Sequence, residues 1–429
     1  MRYTLLNCTL LDGTKNMKPR PHTTIWIQNE IILRITSERE IMPESTVIDC
    51  EEDYVIPGLI NMHVHLAAAG KPPKANAKPV DYKGLAQKLL KSRLVKHFYR
   101  KLEEDYAKQE LYSGVTTLRA VGGLLDFDSQ VRDRIRKGEI PGPRILAANT
   151  AISVPGGHFA GSLATETTNS SEAVLDVQRI AATKPDLIKL MITGGVMDAS
   201  EEGEPGALRM SPEIVHAACE EAHRLGYRVA AHVESSEGVR VALENGVDTI
   251  EHGAQPTEEI LRLFKERKAA DICTLSPALP YALFDESVSH CGEIGRKNGR
   301  IVFEGIIAMA KACLAEGIPV GMGTDTGCPF ITHYNMWREI HYFQKYLDVT
   351  PEFALYTATL GNAKIAEIDQ RTGSIAVGKD ADLLILEKNP LENFAYLKDL
   401  EFVFAKGRMV QAPKVKPMPG VDEALDAYM

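Results

Sequence analysis

Apolar positions along this chain change their period twice. Residues 1 to about 56 carry short apolar runs, such as Thr24-Ile25-Trp26-Ile27 and Ile31-Ile32-Leu33, between turn-like polar stretches. No helix-length period appears there, so the pattern predicts strands. From residue 102 a second rhythm sets in. Runs of helical spacing each lead into a short apolar run: first Gly114-Val115-Thr116-Thr117-Leu118-Arg119, then Arg144-Ile145-Leu146-Ala147-Ala148, then Leu187-Ile188-Lys189-Leu190-Met191. Arg228-Val229-Ala230-Ala231-His232, Asp248-Thr249-Ile250-Glu251-His252, Ala270-Asp271-Ile272-Cys273-Thr274 and Ile318-Pro319-Val320-Gly321-Met322-Gly323 follow in the same way. Ser211-Pro212-Glu213 and Thr350-Pro351-Glu352 mark helix starts, with a capping hydroxyl and proline in the first turn. Beyond residue 370 short strands return, around Gly378-Lys379-Asp380 and across residues 402–410.

The apolar run Val55-Ile56-Pro57-Gly58-Leu59-Ile60-Asn61-Met62-His63-Val64-His65 supplies one more strand, making eight that alternate with helices. Strict alternation predicts parallel strands joined by helical crossovers. Eight units over roughly 300 residues suit a distorted (β/α)8 TIM barrel, whose usual size is ~250 residues. A doubly wound open sheet is the alternative, but no Gly-x-Gly-x-x-Gly turn follows an early strand. The predicted layout has residues 1–57 as the first part of a small composite β-sandwich and 58–365 as the α/β barrel. Residues 366–412 complete the sandwich, and 413–429 form a peripheral tail.

Composition narrows the class. The chain has 429 residues and a net charge of -9, which argues against nucleic acid as a partner. No apolar stretch approaches the roughly 20 residues needed to span a membrane. The N-terminus reads as a strand, without a signal-peptide core. Seven scattered cysteines with no Cys-x-x-Cys fit reduced thiols in a cytoplasmic protein. One stretch is biased. Residues 71–101 carry ten Lys and Arg against the single acid Asp81. It reads as a solvated basic helix, or as a lid bringing positive charge over a site.

Candidate chemistry gathers at strand ends. Alternate residues of a strand face one side, so His63 and His65 can address one point. In a barrel of this kind functional side chains sit at the C-terminal ends of the strands. Lys189 lies inside the fourth strand, His232 and His252 close the fifth and sixth, and Asp325 follows the eighth in Gly323-Thr324-Asp325-Thr326-Gly327. Each has an ordinary explanation alone, as a cap, a turn or a snorkelling lysine. Six potential ligands at the same end of one barrel point to a metal site.

This set, with Val55-Ile56-Pro57-Gly58 before it and Gly378-Lys379-Asp380-Ala381-Asp382 after it, resembles the amidohydrolase superfamily over residues 4 to 410. The lysine resembles that of the binuclear type, near its prolidase-like and imidazolonepropionase-related branches. The resemblance implies a carbamate on Lys189 bridging two divalent metal ions. His63, His65 and Asp325 would hold one ion, and His232 and His252 the other. Imidazole and carboxylate donors suit Zn²⁺, with Mn²⁺, Co²⁺ or Fe²⁺ also compatible. The plain alternative, a structural lysine, leaves a buried charge that is costly unless paired. The implied activity is hydrolysis of a C–N amide bond in a dipeptide, an N-acyl amino acid or a small cyclic amide. A metal-bridging hydroxide would attack the carbonyl, with Asp325 as proton shuttle. A homo-oligomer acting on a small-molecule amide is expected.

In the dipeptidase branch a histidine follows a Gly-Gly turn after the third strand and contacts substrate. Here Gly156-Gly157-His158 provides it, with His333 as a second substrate candidate. Two departures stand out. The fifth strand continues His232-Val233-Glu234, where many dipeptidases have tyrosine in the last position. Ala120 replaces an aspartate common on the second strand. Glu234 becomes a candidate for a cationic substrate group, or a salt-bridged rim residue. Two alternatives stay open: a mononuclear imidazolonepropionase-like ring hydrolase or deaminase, and a non-catalytic scaffold.

Overall fold

The computed structural model describes residues 1–73, 83–84, 91–199 and 201–429. Strands from both chain ends share one eight-stranded sheet. Its spatial order is Arg408–Gln411, Phe402–Ala405, Leu383–Leu386, Tyr54–Pro57, Arg2–Leu10, Arg20–Gln28 and Ile31–Thr36, with Thr46–Asp49 also paired to Arg2–Leu10. The antiparallel pairing of Leu383–Leu386 with Tyr54–Pro57 joins the two ends. The sheet also rolls back on itself, because Ile32 N–H donates to the Lys379 carbonyl at 2.9 Å. The roll encloses an apolar cluster that includes Leu5, Ile25, Val55, Leu383 and Phe404.

Tyr54–Pro57 passes directly into the first parallel strand, Leu59–Val64. Gly58 makes that junction possible: a Cβ there would lie 2.1 Å from Thr116 Oγ1. The expected alternation of parallel strands and helices is present. The expected continuous barrel ladder is not. The strands divide into a three-stranded sheet, Leu59–Val64, Val115–Ala120 and Arg144–Ala147, and a seven-stranded one. The latter runs Ala164–Glu166, Ala151–Ser153, Ile188–Met191, Val229–Val233, Thr249–His252, Ala270–Cys273 and Val320–Met322.

Side chains explain one seam. The Asn362 amide donates to the carbonyls of Ile60 (2.7 Å) and Met322 (2.9 Å), where a backbone ladder would otherwise run. Backbone pairing resumes only at the C-terminal end, where Asp325 N–H reaches the His63 carbonyl at 2.9 Å and His65 N–H reaches Thr326 at 2.8 Å. Gly323 allows this approach, since a Cβ there would lie 2.4 Å from the His63 nitrogen. At the other seam the chain leaves the sheet after Ala147, and Ala151–Ser153 touches Ile188–Met191 only at Leu190 and Ile152. Beneath the centre, Ile60, Met62, Ala270 and Ile272 pack with Ala363 and Ile365.

The helix Arg93–Tyr112 takes in the end of the basic stretch, and the long helix Glu293–Ala315 leads into the last parallel strand. Much of the proposed lid, including Leu85, Leu89 and Leu90, lies outside the described residues. The described Leu94 and Phe98 are exposed. The end of the chain is not peripheral. The helix Pro419–Asp426 buries Val421 and Leu425. It also presents Asp422 (3.0 Å) and Asp426 (2.5 Å) to Arg338, whose side chain is 2% exposed. Among the described residues no helix is long and apolar enough to cross a membrane. All seven cysteines are free thiols.

Candidate metal centre

The parallel strands deliver their polar ends to one point. His63 and His252 have ring centroids 4.9 Å apart, His232 and His252 4.7 Å, and His63 and His65 5.3 Å. Asp325 Oδ1 lies 3.5 Å from His63 Nε2 and 3.3 Å from His65 Nε2. Ligand atoms of His63, His252 and Asp325 fall within 4.8 Å of one another, as do those of His232, Glu234 and His252. His252 is common to both groups. The resemblance had implied a division without Glu234 and with His252 on one side only.

Each imidazole is fixed from behind. His63 Nδ1 meets Glu251 at 2.9 Å, His65 Nδ1 the Gly122 carbonyl at 2.7 Å, and His232 Nε2 the Gly194 carbonyl at 3.2 Å. Carboxylates and carbonyls only accept, so these nitrogens carry the protons and the opposite nitrogens keep lone pairs. His252 Nδ1 meets the Thr274 hydroxyl at 2.7 Å. Burial lowers His63 to about 4, and it holds His232 and His252 well below the ordinary histidine value. Neutral imidazoles are the form that binds metal.

The acids and the lysine complete the centre. Burial raises the Asp325 carboxyl, but His63, His65 and His252 outweigh it and hold it well below the usual carboxylate range. Lys189 is 1% exposed, and its Nζ has no hydrogen-bond partner among the described residues. Desolvation brings it down to about 8. The uncharged amine is the form that reacts with carbon dioxide. An unpaired amine beside neutral imidazoles and an ionised carboxylate fits a divalent-metal centre, for which the protein supplies the donors. Glu234 behaves differently. Burial, then the charge of Asp325, raises it to about 8, and it accepts from Val196 N–H at 3.0 Å.

Residues 54–410 match the model of the amidohydrolase family. The chain belongs to that family. Among curated relatives of this amidohydrolase, an ochratoxinase from Aspergillus niger is 26% identical over 93% of this chain and 85% of its own. An imidazolonepropionase from Fusobacterium nucleatum is 22% identical over 86% of each. Among solved structures, a Bifidobacterium longum protein provisionally named a prolidase has a TM-score of 0.87 at 34% identity, covering 100% of this chain and 99% of its own. A Xaa-Pro dipeptidase with bound methionine has a TM-score of 0.82 at 27% identity, covering 96% and 100%. Family and neighbours support hydrolysis of amide bonds by this amidohydrolase.

The substrate candidates separate. His158 stacks on His232, with centroids 4.2 Å apart, and its Nδ1 pairs with Asp198. His333 stands apart from this group. Its ring nitrogens face Glu110 (3.3 Å) and the Ala68 carbonyl (2.8 Å), and its ring stacks on Tyr106. With both nitrogens engaged, His333 reads as a packing residue rather than a substrate contact. Sequence reasoning passed over Glu251, Arg119 and Asp198. Arg119 donates to both Glu251 oxygens at 2.7 Å and to the Met62 carbonyl at 2.7 Å. Opposite charges inside two short apolar strands were the available signal for that pair.

Proposed function

We propose that this amidohydrolase cleaves the C–N bond of a dipeptide or an N-acyl amino acid. His63, His65, Lys189, His232, His252 and Asp325 would hold two divalent ions, with zinc favoured by the donors and Lys189 present as its carbamate. The observation that carries this reading is the buried Lys189 Nζ, which has no hydrogen-bond partner among the described residues. Such a group is costly in a structural role, whereas a carbamate offers two oxygens to neighbouring cations. Bound ions supply an acidified water and a Lewis acid for the carbonyl.

The chain's own residues do the rest. Asp325, ionised at neutral pH, takes up a proton and returns it to the leaving nitrogen. Glu251 and Arg119 keep His63 in one tautomer and one orientation. Asp198 holds His158 by Nδ1 and fixes the ring, and the imidazolium form would offer Nε2–H to the substrate carbonyl or carboxylate.

The imidazolonepropionase relatives favour a second reading, a mononuclear ring hydrolase. Metal analysis of protein loaded in the presence of bicarbonate, followed by a panel of dipeptides, N-acyl amino acids and cyclic amides, separates the two. Two ions per chain and cleavage of linear amides support the leading reading. One ion per chain with only cyclic amides opened would replace it.

A further inference from the structure

The first and fifth parallel strands end alike. Alternate residues of a strand face one side, so His232-Val233-Glu234 repeats the arrangement of His63-Val64-His65. The geometry bears the repeat out. Ligand atoms of His232, Glu234 and His252 lie within 4.8 Å of one another, as do those of His63, His252 and Asp325. The six residues implied by the family resemblance do not include Glu234. They give one ion the carboxylate of Asp325 and leave the other with two neutral imidazoles and no carboxylate of its own.

Glu234 is held in place from several sides. Its N–H donates to Thr193 Oγ1 at 3.0 Å, and its Oε2 accepts from Val196 N–H at 3.0 Å. Gly206 packs so closely that a Cβ there would lie 2.3 Å from the Glu234 carbonyl oxygen. A Cβ on Gly195 would lie 3.5 Å from Glu234 Oε2 and 3.2 Å from His158 Cε1, so the carboxylate borders the ring that stacks on His232. The side chain is half-buried. Val196 N–H is the only donor to its carboxylate among the described residues, and no Lys or Arg among them pairs with it. A carboxylate drawn out of water in this way is costly unless a cation answers it.

Two imidazoles and one carboxylate are a complete protein set for a catalytic divalent ion, zinc included. His63, His65 and Asp325 already form such a set on the other side. Burial raises the Glu234 carboxyl, and a divalent ion against it reverses that balance, because the ion is the largest charge in the site. The neutral imidazoles alongside favour a metal ion as the answering cation, since that is the form in which imidazole binds one. We propose that the Glu234 carboxylate is a direct ligand of the ion held by His232 and His252, so that each ion of the centre has two histidines and a carboxylate. This rests on the two-ion centre proposed above.

Co²⁺ alone is the probe, added to metal-free protein in bicarbonate, because its visible absorption reports the donor set. Glu234→Gln keeps the shape and the acceptor for Val196 N–H but removes the anionic donor. Wild type should take two ions. The variant should bind one of them more than about 100-fold more weakly, beyond the roughly 10- to 100-fold cost of losing a residue that stands behind a ligand. Its absorption spectrum should change as well, and the Tm of the metal-free variant should stay level or rise, because a buried acid has gone. Glu234→Asp restores the charge on a shorter stem and should recover part of the affinity. Unchanged affinity and spectrum in Glu234→Gln overturn the assignment, and a KM raised only for dipeptides with a free amine would then give Glu234 to the substrate ammonium. Weaker binding with an unchanged spectrum overturns it in favour of a supporting role. A metal-free Tm that drops in both variants, with no recovery in Glu234→Asp, overturns it in favour of packing. If wild type takes a single ion, the two-ion reading fails by itself, and the variant still decides: weaker binding with a changed spectrum supports Glu234, and no change overturns it. Wild type that takes no ion overturns both.

Discussion

At the scale of residues, the centre is built from groups whose ordinary charge has been altered by burial. Lys189 is the sharpest instance, a lysine brought down to about 8 by burial whose Nζ has no hydrogen-bond partner among the described residues. Lys189→Ala is expected to lose at least one of two bound ions, measured by elemental analysis. Full occupancy in that variant would remove the carbamate. Asp325→Asn keeps the shape but cannot take a proton. Turnover should fall by about a thousandfold, the upper part of the usual range for a proton-transfer group, with metal retained. Glu251 is a support rather than a ligand. Its Gln variant leaves the buried Arg119 without its countercharge, which should destabilise the fold by about 3 kcal/mol in urea titration and weaken metal binding through His63. Lys189, Asp325 and the four site histidines were legible in the sequence because they end or interrupt apolar runs. Glu251 was not singled out, because its meaning depends on Arg119, its partner 132 positions away.

At the scale of elements, the helices Arg93–Tyr112 and Phe127–Arg136 enclose an unusual pair of acids. Glu103 and Asp128 are 0% and 1% exposed, and none of their four carboxyl oxygens has a partner among the described residues. Burial pushes Asp128 up to about 6. Burial and then Asp128 push Glu103 well above its usual value. An acid whose folded value is raised supports the fold while protonated. For Asp128 that support is complete below the unfolded value of 3.8 and is lost as pH rises to about 6. Asp128→Asn should therefore match wild type near pH 4 and exceed its stability at pH 8 by roughly 2–3 kcal/mol, as two pKa units imply. Equal denaturation midpoints at pH 8 would contradict this. Helical periodicity located both helices approximately, but the facing of their acids depends on how they cross, which no single period encodes.

At the scale of the molecule, distant parts of the chain hold one another in place. The final helix satisfies Arg338 through Asp422 and Asp426, and Tyr428 stacks on Phe284 with centroids 5.1 Å apart. Phe284 in turn packs on Phe330, in the segment that follows Asp325. Removing residues 419–429 leaves a buried guanidinium without its carboxylates. The loss should reach about 3 kcal/mol, seen as a lower Tm and earlier proteolysis. An unchanged Tm would show that the tail is dispensable. The tail looked peripheral because its Pro-rich start and acidic end suggest solvent, and their partner lies on a helix 84 residues earlier.

Local pattern alone determined the alternation of strands and helices, the return to β structure at both ends and the polar residues that close each strand. Those features follow from the spacing of neighbouring side chains, which a chain carries before it folds. Only the tertiary structure decided the rest: that the strand ladder divides at Asn362, that His63 is gripped by Glu251 at a separation of 188 residues, and that Lys189 Nζ has no hydrogen-bond partner among the described residues. Those outcomes depend on distances between residues remote in sequence, and burial then sets their charge states, because desolvation exists only once the surrounding core has closed.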